Sequence, residues 1–443
     1  MPKPKAPIDR LLLPFQRFLR MEAAGGVVLL AATALALIWA NSPWADSYQS
    51  LWNTRVVASV GAGAIDKPLL LWINDGLMAI FFLLIGLEIK RELLVGELSS
   101  FRKALLPATA AIGGMVGPAL IYLAFNAGTD GAKAWGVPMA TDIAFAVGVL
   151  AILGRRVPLG LKVFLVALAI VDDLGAVAVV ALVYTESINL TSLGLALGIL
   201  IAIAALNVLG VRHMLPYILL GLVLWVFVLK SGVHATIAGI ALAMCIPSNA
   251  RKSGERLRKR LAVTVDRLRQ DDVSKDIYDS DLRQAAIHDL ERACSLAQSP
   301  LLRLEHALLP WVAFVIMPVF ALANAGVELG SGLGEALRNP IAIGIAVGLF
   351  AGNQIGITGL TWLMTRFGPC VLPDGVRMRH VYGAACLAGI GFTMALFIAG
   401  LAFDDPAGLS VAKVGIMLGS LASAILGVTV LLTTRPNSVE AST

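Results

Sequence analysis

Runs of apolar residues alternate with short polar links along nearly the whole chain. Twelve runs stand out: Ala23–Trp39, Leu69–Leu87, Leu105–Phe125, Val137–Leu153, Phe164–Tyr184, Leu193–Leu209, Tyr217–Leu229, Val233–Ile246, Ala307–Ala323, Ile341–Met364, Val381–Leu401 and Val411–Leu432. A helix needs about 20 mostly apolar residues to cross a bilayer, and most of these runs approach that length; the seventh and eighth are short. None shows the ten-residue alternation of a barrel strand. The pattern predicts an all-α membrane protein with about 12 transmembrane helices. Composition agrees, with 58% of residues hydrophobic and 14% charged, against about 25% charged in soluble domains.

The links between runs differ in charge. Lys3, Lys5, Arg10, Arg17 and Arg20 precede span one; Lys90, Arg91, Arg102 and Lys103 follow span two; Arg155, Arg156 and Lys162 follow span four. Arg212 and His213 follow span six, and Arg366, Arg377 and Arg379 follow span ten. The intervening links hold only isolated cations, such as Lys67, Lys133 and Arg338. Positive charge collects on the cytoplasmic side, so both termini are expected in the cytoplasm. The segment Met1–Arg20 is basic and amphipathic but lacks a small-residue cleavage site, so it does not read as a removable signal peptide.

This divides the chain into a membrane part over 1–249 (spans one to eight), a hydrophilic loop over 250–303, a second membrane part over 304–434 and a short tail, 435–443. In the loop, Leu257, Leu261, Val265 and Leu268 recur at helical spacing, as do Leu282, Ala286 and Leu290. The loop reads as a solvated or membrane-surface helix pair, with a partner-binding or regulatory role as the alternative. The net charge of +6 reflects such basic loops rather than nucleic-acid binding. Cys245, Cys294, Cys370 and Cys386 are scattered, which supports neither a metal site nor a disulfide framework.

The chemistry concentrates in a few intramembrane carboxylates. Asp172 and Asp173 lie near the middle of span five, where a single acid costs about 2.5–3.5 kcal/mol on insertion scales. Neighbours on a helix point about 100° apart, so only one of the two faces a given cavity squarely. Two close carboxylates titrate as a unit and suit either protons or a hard cation such as Na⁺. Competition for one such site makes an exchanger. Span four carries Thr141 and Asp142, and span eleven carries Gly389-Ile-Gly-Phe-Thr393. Spans three to five and ten to twelve are thus triplets with an interrupted middle member, and the link charges make one triplet inverted relative to the other. That arrangement predicts an inverted-repeat transporter with its site at the bilayer midplane.

The motifs Gly86-Leu-Glu-Ile-Lys-Arg-Glu92, Ala140-Thr-Asp-Ile-Ala-Phe-Ala146, Ala169-Ile-Val-Asp-Asp-Leu-Gly175, Leu229-Lys-Ser-Gly-Val-His-Ala-Thr236 and Gly389-Ile-Gly-Phe-Thr-Met394 resemble, in order, those of the bacterial NhaA family of Na⁺/H⁺ antiporters. This family is a known example of inverted-repeat topology. The resemblance implies a pH-regulated antiporter of the bacterial inner membrane, not an enzyme. It would exchange cytoplasmic Na⁺ or Li⁺ for external H⁺ by alternating access, with no cofactor and often as a homodimer. It implies that Asp172 and Asp173 form the ion- and proton-binding pair, with Asp173 the principal Na⁺ ligand, and that spans four and eleven cross as broken helices. Asp142 would offset their positive ends, beside Thr141. Glu88, Arg91, Glu92, Glu305 and His306 match a cytoplasmic funnel tied to pH sensing, His234 matches a further pH-linked residue, and Asp75 matches the start of span two. Read without the resemblance, Glu88–Glu92 is a charged helix end, His306 an interfacial histidine and His234 a structural residue at a tight turn.

Two features depart from the family pattern. Asn353 occupies a lysine position in span ten, and no Lys or Arg lies between Arg338 and Arg366. The lysine's pairing with the carboxylate matching Asp172, and any proton it carries, are therefore missing. The 250–303 loop is longer than usual, and Leu309 stands where a further histidine is expected. Three other readings are a Na⁺-coupled organic-anion symporter of the same fold, a passive channel and an intramembrane aspartyl protease. The last needs two facing aspartates on separate helices with a Gly-x-Gly-Asp turn, which the sequence lacks.

Overall fold

A computed structural model describes residues 7–60, 63–185, 188–249, 298–328 and 333–434. All twelve predicted spans are helical, with revised limits. Eight are long and apolar enough to cross a membrane unaided: Leu69–Val95 (span two), Phe101–Asn126 (three), Asp130–Leu153 (four), Leu159–Val183 (five), Leu190–Val208 (six), Pro300–Asn324 (nine), Pro340–Arg366 (ten) and Pro406–Thr433 (twelve). Span one is part of a longer helix, Pro7–Ala40. Span seven is Met214–Lys230. Span eight is reduced to Ile237–Cys245, nine residues, which rise only about 14 Å; the stretch before it, Ser231 to Thr236, is wound as turns.

Spans four and eleven are broken. In span four a 3₁₀ stretch, Asp130–Met139, stops before the α-helix Ile143–Leu153. In span eleven Met378–Ala388 and Phe392–Ala402 meet at 44°. These breaks sit at the Thr-Asp and Gly-Ile-Gly signals. The segment after span one departs from its reading as a plain polar link. It forms a short helix, Ala45–Asn53, and an antiparallel hairpin of β1 (Arg55–Val60) with β2 (Gly63–Pro68), in which Arg55 pairs with Pro68. Alternation in β1 is weak, because Val56 and Val57 are adjacent, so the sequence hid the strands.

Buried side chains form one large cluster drawn from spans one to five and nine to twelve, and a second from spans six, seven and eight with parts of two and nine. Span three packs on span ten backbone to backbone. Gly113 and Gly356 face each other so closely that a Cβ on either would enter the other's carbonyl group. Small residues permit this approach. The 250–303 loop lies largely outside the described residues, but its flanks are described: Leu301 N–H donates to the Pro247 carbonyl at 3.2 Å. Lys90 Nζ, from span two, donates to the Met244 and Ile246 carbonyls, each at 2.6 Å, closing the C-terminal end of span eight.

Candidate functional site

An unwound backbone inside a membrane leaves N–H and C=O groups that must find partners. At the break in span four those partners come from spans five and eleven. Thr141 N–H donates to Asp172 Oδ2 at 2.9 Å, and Thr141 Oγ1 donates to the Ala388 carbonyl at 2.9 Å. Asp142 N–H donates to the Ile390 carbonyl at 2.7 Å. Gly391 is required here, since a Cβ at that position would sit 2.7 Å from the Ala140 carbonyl oxygen. The two broken spans therefore cross in contact.

Asp142 is extended and stands immediately before Ile143, the position where an aspartate caps a helix. Its Oδ1 accepts from Phe145 N–H at 3.1 Å. Its Oδ2 accepts from Thr393 N–H at 3.0 Å and from the Thr393 hydroxyl. One carboxylate thus closes the N-terminal ends of both half-helices, where their dipoles favour negative charge. Thr393, within the Gly389–Met394 motif, thereby joins the candidate site.

Asp172 and Asp173 are both buried but face different surroundings. Asp172 is held through Oδ2 by Thr141, while its Oδ1 has no protein partner. Asp173 lines a narrow cavity of about 50 Å³ together with Asp142 and Glu88, enough for a water or a partly dehydrated small cation. Leu29, Phe81, Leu309, Val312 and Met394 supply much of its apolar wall. No group of three or more His, Cys, Asp or Glu side chains suited to a resident metal occurs among the described residues. The carboxylates present suit a hard cation taken up and released as cargo.

Around Glu88 the predicted charged residues do gather. Arg91 Nη1 lies 3.0 Å from Glu305 Oε1, and Arg91 Nη2 lies 3.3 Å from Glu92 Oε1. Glu92 also accepts from Glu97 N–H at 3.0 Å. Glu88 and Glu305 are buried, and Glu305 Oε2 has no hydrogen-bond partner. His306 is exposed and engages its own helix through Nδ1, 2.7 Å from the Leu302 carbonyl.

His234 and Asp75 form a separate group. Asp75 Oδ2 lies 2.8 Å from Lys67 Nζ, and Asp75 Oδ1 lies 3.9 Å from His234 Nε2. His234 Nδ1 is 2.8 Å from Thr236 Oγ1, and its ring meets Phe397 of span eleven edge-on at 5.3 Å. Asn353 is fully buried, with Nδ2 3.4 Å from the Leu349 carbonyl and Oδ1 unpartnered.

Two crossed, interrupted helices braced by one carboxylate, beside a buried aspartate pair, define a multi-pass transporter of the broken-helix class. The family described as Na⁺/H⁺ antiporter 1 matches residues 16–431, and the chain belongs to that family. It is 52% identical over 425 residues to the Na⁺/H⁺ antiporter NhaA of Oleidesulfovibrio alaskensis, covering 95% of this chain and 94% of that one. It is 47% identical to the NhaA of Koribacter versatilis, covering 96% and 92%, and 46% identical to the NhaA 2 of Erythrobacter litoralis, covering 94% and 92%. These relatives are transporters, not enzymes, so the aspartyl-protease reading falls. The family places the protein in the bacterial inner membrane.

Proposed function

We propose that this protein extrudes cytoplasmic Na⁺, and Li⁺ as a smaller homologous cation, in exchange for external H⁺. The observation that carries the reading is Asp173, open to a cavity that it shares with Glu88 and Asp142, next to Asp172 at the crossing. Na⁺ enters from the Glu88 side and binds the deprotonated pair, with Asp173 as principal ligand. The loaded core, spans three to five and ten to twelve, rocks against the remaining helices and exposes the site outside. There protonation expels the ion, and the protonated pair returns. Both termini face the cytoplasm on the charge pattern of the links.

Asn353 supports assigning both protons to the aspartates. No lysine or arginine exists within span ten before Arg366; with Asp172 as carrier of the second proton two H⁺ are exchanged per Na⁺, and without it the ratio falls toward one. Two-for-one exchange moves one net charge, worth about 2.3 kcal/mol per 100 mV. Arg91, Glu92, Glu305 and His306 form the pH-responsive entrance, with His234 and Asp75 at the other side of the membrane. A homodimer in the lipid bilayer is the proposed assembly.

The test uses proteoliposomes holding an internal pH dye. Na⁺ is added with the membrane potential clamped at zero and then at a negative value. Voltage-dependent, Na⁺-driven proton movement is expected. The absence of any Na⁺-driven proton movement at every pH sinks the antiporter reading, proton movement indifferent to voltage makes the exchange electroneutral, and Na⁺-stimulated uptake of an organic anion without proton movement establishes the symporter instead. Linear Na⁺ flux without proton coupling identifies a channel.

A further inference from the structure

Apart from Thr141 and Thr393 at the crossing, many threonines of the membrane helices bond back to their own helix. Thr33, Thr109, Thr185, Thr365, Thr429 and Thr433 each donate their hydroxyl to a carbonyl four residues back, at 2.7–2.9 Å. That is the usual way for a hydroxyl to satisfy itself in a helix. Thr358 and Thr361 do not: their hydroxyl oxygens are buried and have no protein partner. Gln354 shares their face of span ten, at i, i+4 and i+7 spacing. Its Oε1 accepts from Tyr382 Oη of span eleven at 2.8 Å, while its Nε2 is also unpartnered.

Asn353, the residue before Gln354 and about 100° round the helix from it, reaches the crossing. Asn353 Oδ1 is unpartnered, and its neighbour on span three is Gly114, whose Cβ position would be 3.2 Å away. The Leu349 carbonyl that Asn353 approaches lies against Gly389, beside the unpartnered Ser423 hydroxyl. The carbonyl of the preceding residue, Ala388, holds Thr141, and Thr141 N–H holds Asp172, whose Oδ1 is again unpartnered. Each buried polar atom left unpaired costs about 1–3 kcal/mol. Several such atoms, borne by span ten and by the helices packed around it at the crossing, are the signature of buried water, which makes about three hydrogen bonds to such groups.

We propose that spans three, ten and eleven enclose a file of water that carries protons between Asp172 and the cytoplasm, separate from the route taken by Na⁺. The cavity at Asp173 is walled by spans one, two, four, five, nine and eleven, with no residue of span three or ten. The two cargoes thus approach the pair along different helices. In the outgoing step the Asp172 O–H bond breaks as an O–H bond forms on the first water. Each water, or a threonine hydroxyl between waters, passes one proton on until the cytoplasmic solution receives it, and no electrons change hands. The proposal rests on the antiporter reading, in which Asp172 carries a proton.

The test compares two fluxes in proteoliposomes for the double variant Thr358→Val/Thr361→Val. Na⁺-driven proton movement should fall about tenfold, equivalent to ~1.4 kcal/mol on the barrier. Isotopic Na⁺/Na⁺ exchange at equal Na⁺ on both sides needs no proton and should keep the parent rate. The pair Thr358→Ser/Thr361→Ser keeps both hydroxyls and should restore proton movement. Parent-level proton movement in the valine variant overturns the proposal, as does a joint loss of both fluxes that serine does not repair. A parent protein with no Na⁺/H⁺ exchange defeats the antiporter reading itself, which is a different result from either.

Discussion

Asp142 and Thr393, one on each broken span, are joined by two hydrogen bonds to a single carboxylate oxygen, through the Thr393 backbone N–H at 3.0 Å and through its hydroxyl. Because the other oxygen caps the half-helix of span four, the crossing is fixed by a side chain rather than by packing alone. Loss of a helix cap costs about 0.5–2 kcal/mol. Asp142→Ala removes two caps and should destabilise by roughly 1–4 kcal/mol. Thr393→Val keeps the N–H and should cost about 1 kcal/mol. Thermal unfolding in detergent checks the order, and equal losses would contradict the shared-cap account.

Asp173 opens onto the cavity while Asp172 is engaged with Thr141. Asp173→Asn should therefore weaken apparent Na⁺ affinity more than Asp172→Asn does. Interactions with a charged group are worth about 1.5–3 kcal/mol, so a ten- to hundredfold loss, roughly, is expected. Na⁺ titration of thermal stability measures it without requiring turnover.

Arg91 bridges two acids at the candidate entrance, buried Glu305 at 3.0 Å and half-buried Glu92 at 3.3 Å. Arg91→Ala leaves buried Glu305 without its cation and should cost about 1–3 kcal/mol, the penalty for leaving a buried group unpaired. Glu305→Gln leaves Arg91 with Glu92 and should cost less. Denaturation of the two variants at neutral pH decides this, and the reverse order would refute it.

Gly113 and Gly356 set the distance between spans three and ten. Alanine at either pushes the helices apart and should destabilise by about 1–3 kcal/mol. The same separation moves Asn353 relative to span three, so Na⁺-driven proton movement should fall as well. A variant with parent stability and parent transport would show that the helices slide to accommodate the methyl.

Much of this architecture was readable because a membrane imposes long apolar runs and links of biased charge. The breaks were readable too: Thr141-Asp142 and Gly389-Ile-Gly391 are poor continuations of a membrane helix, and each marks the site of an actual interruption. What could not be read was who meets whom. Asp142 and Thr393 are 251 positions apart, and nothing in either segment names the other. The gathering of Arg91 with Glu305 entered through family resemblance rather than through spacing. The β1–β2 hairpin escaped because its strands are short and poorly alternating. The span-ten seam escaped because threonine and glutamine look unremarkable in sequence; only their lack of local partners in three dimensions sets them apart.

The hydrogen bond from Leu301 N–H to the Pro247 carbonyl, 3.2 Å long, brings the chain back to where it left before the long hydrophilic segment begins its return into span nine. The closure holds the two flanks together, so a change in the length of the segment between them should leave the register of spans eight and nine unaltered, because lengthening a loop between fixed ends adds only about 0.6 kcal/mol per doubling. The junction between spans eight and nine is thereby set by the flanks themselves and not by what the chain does between them.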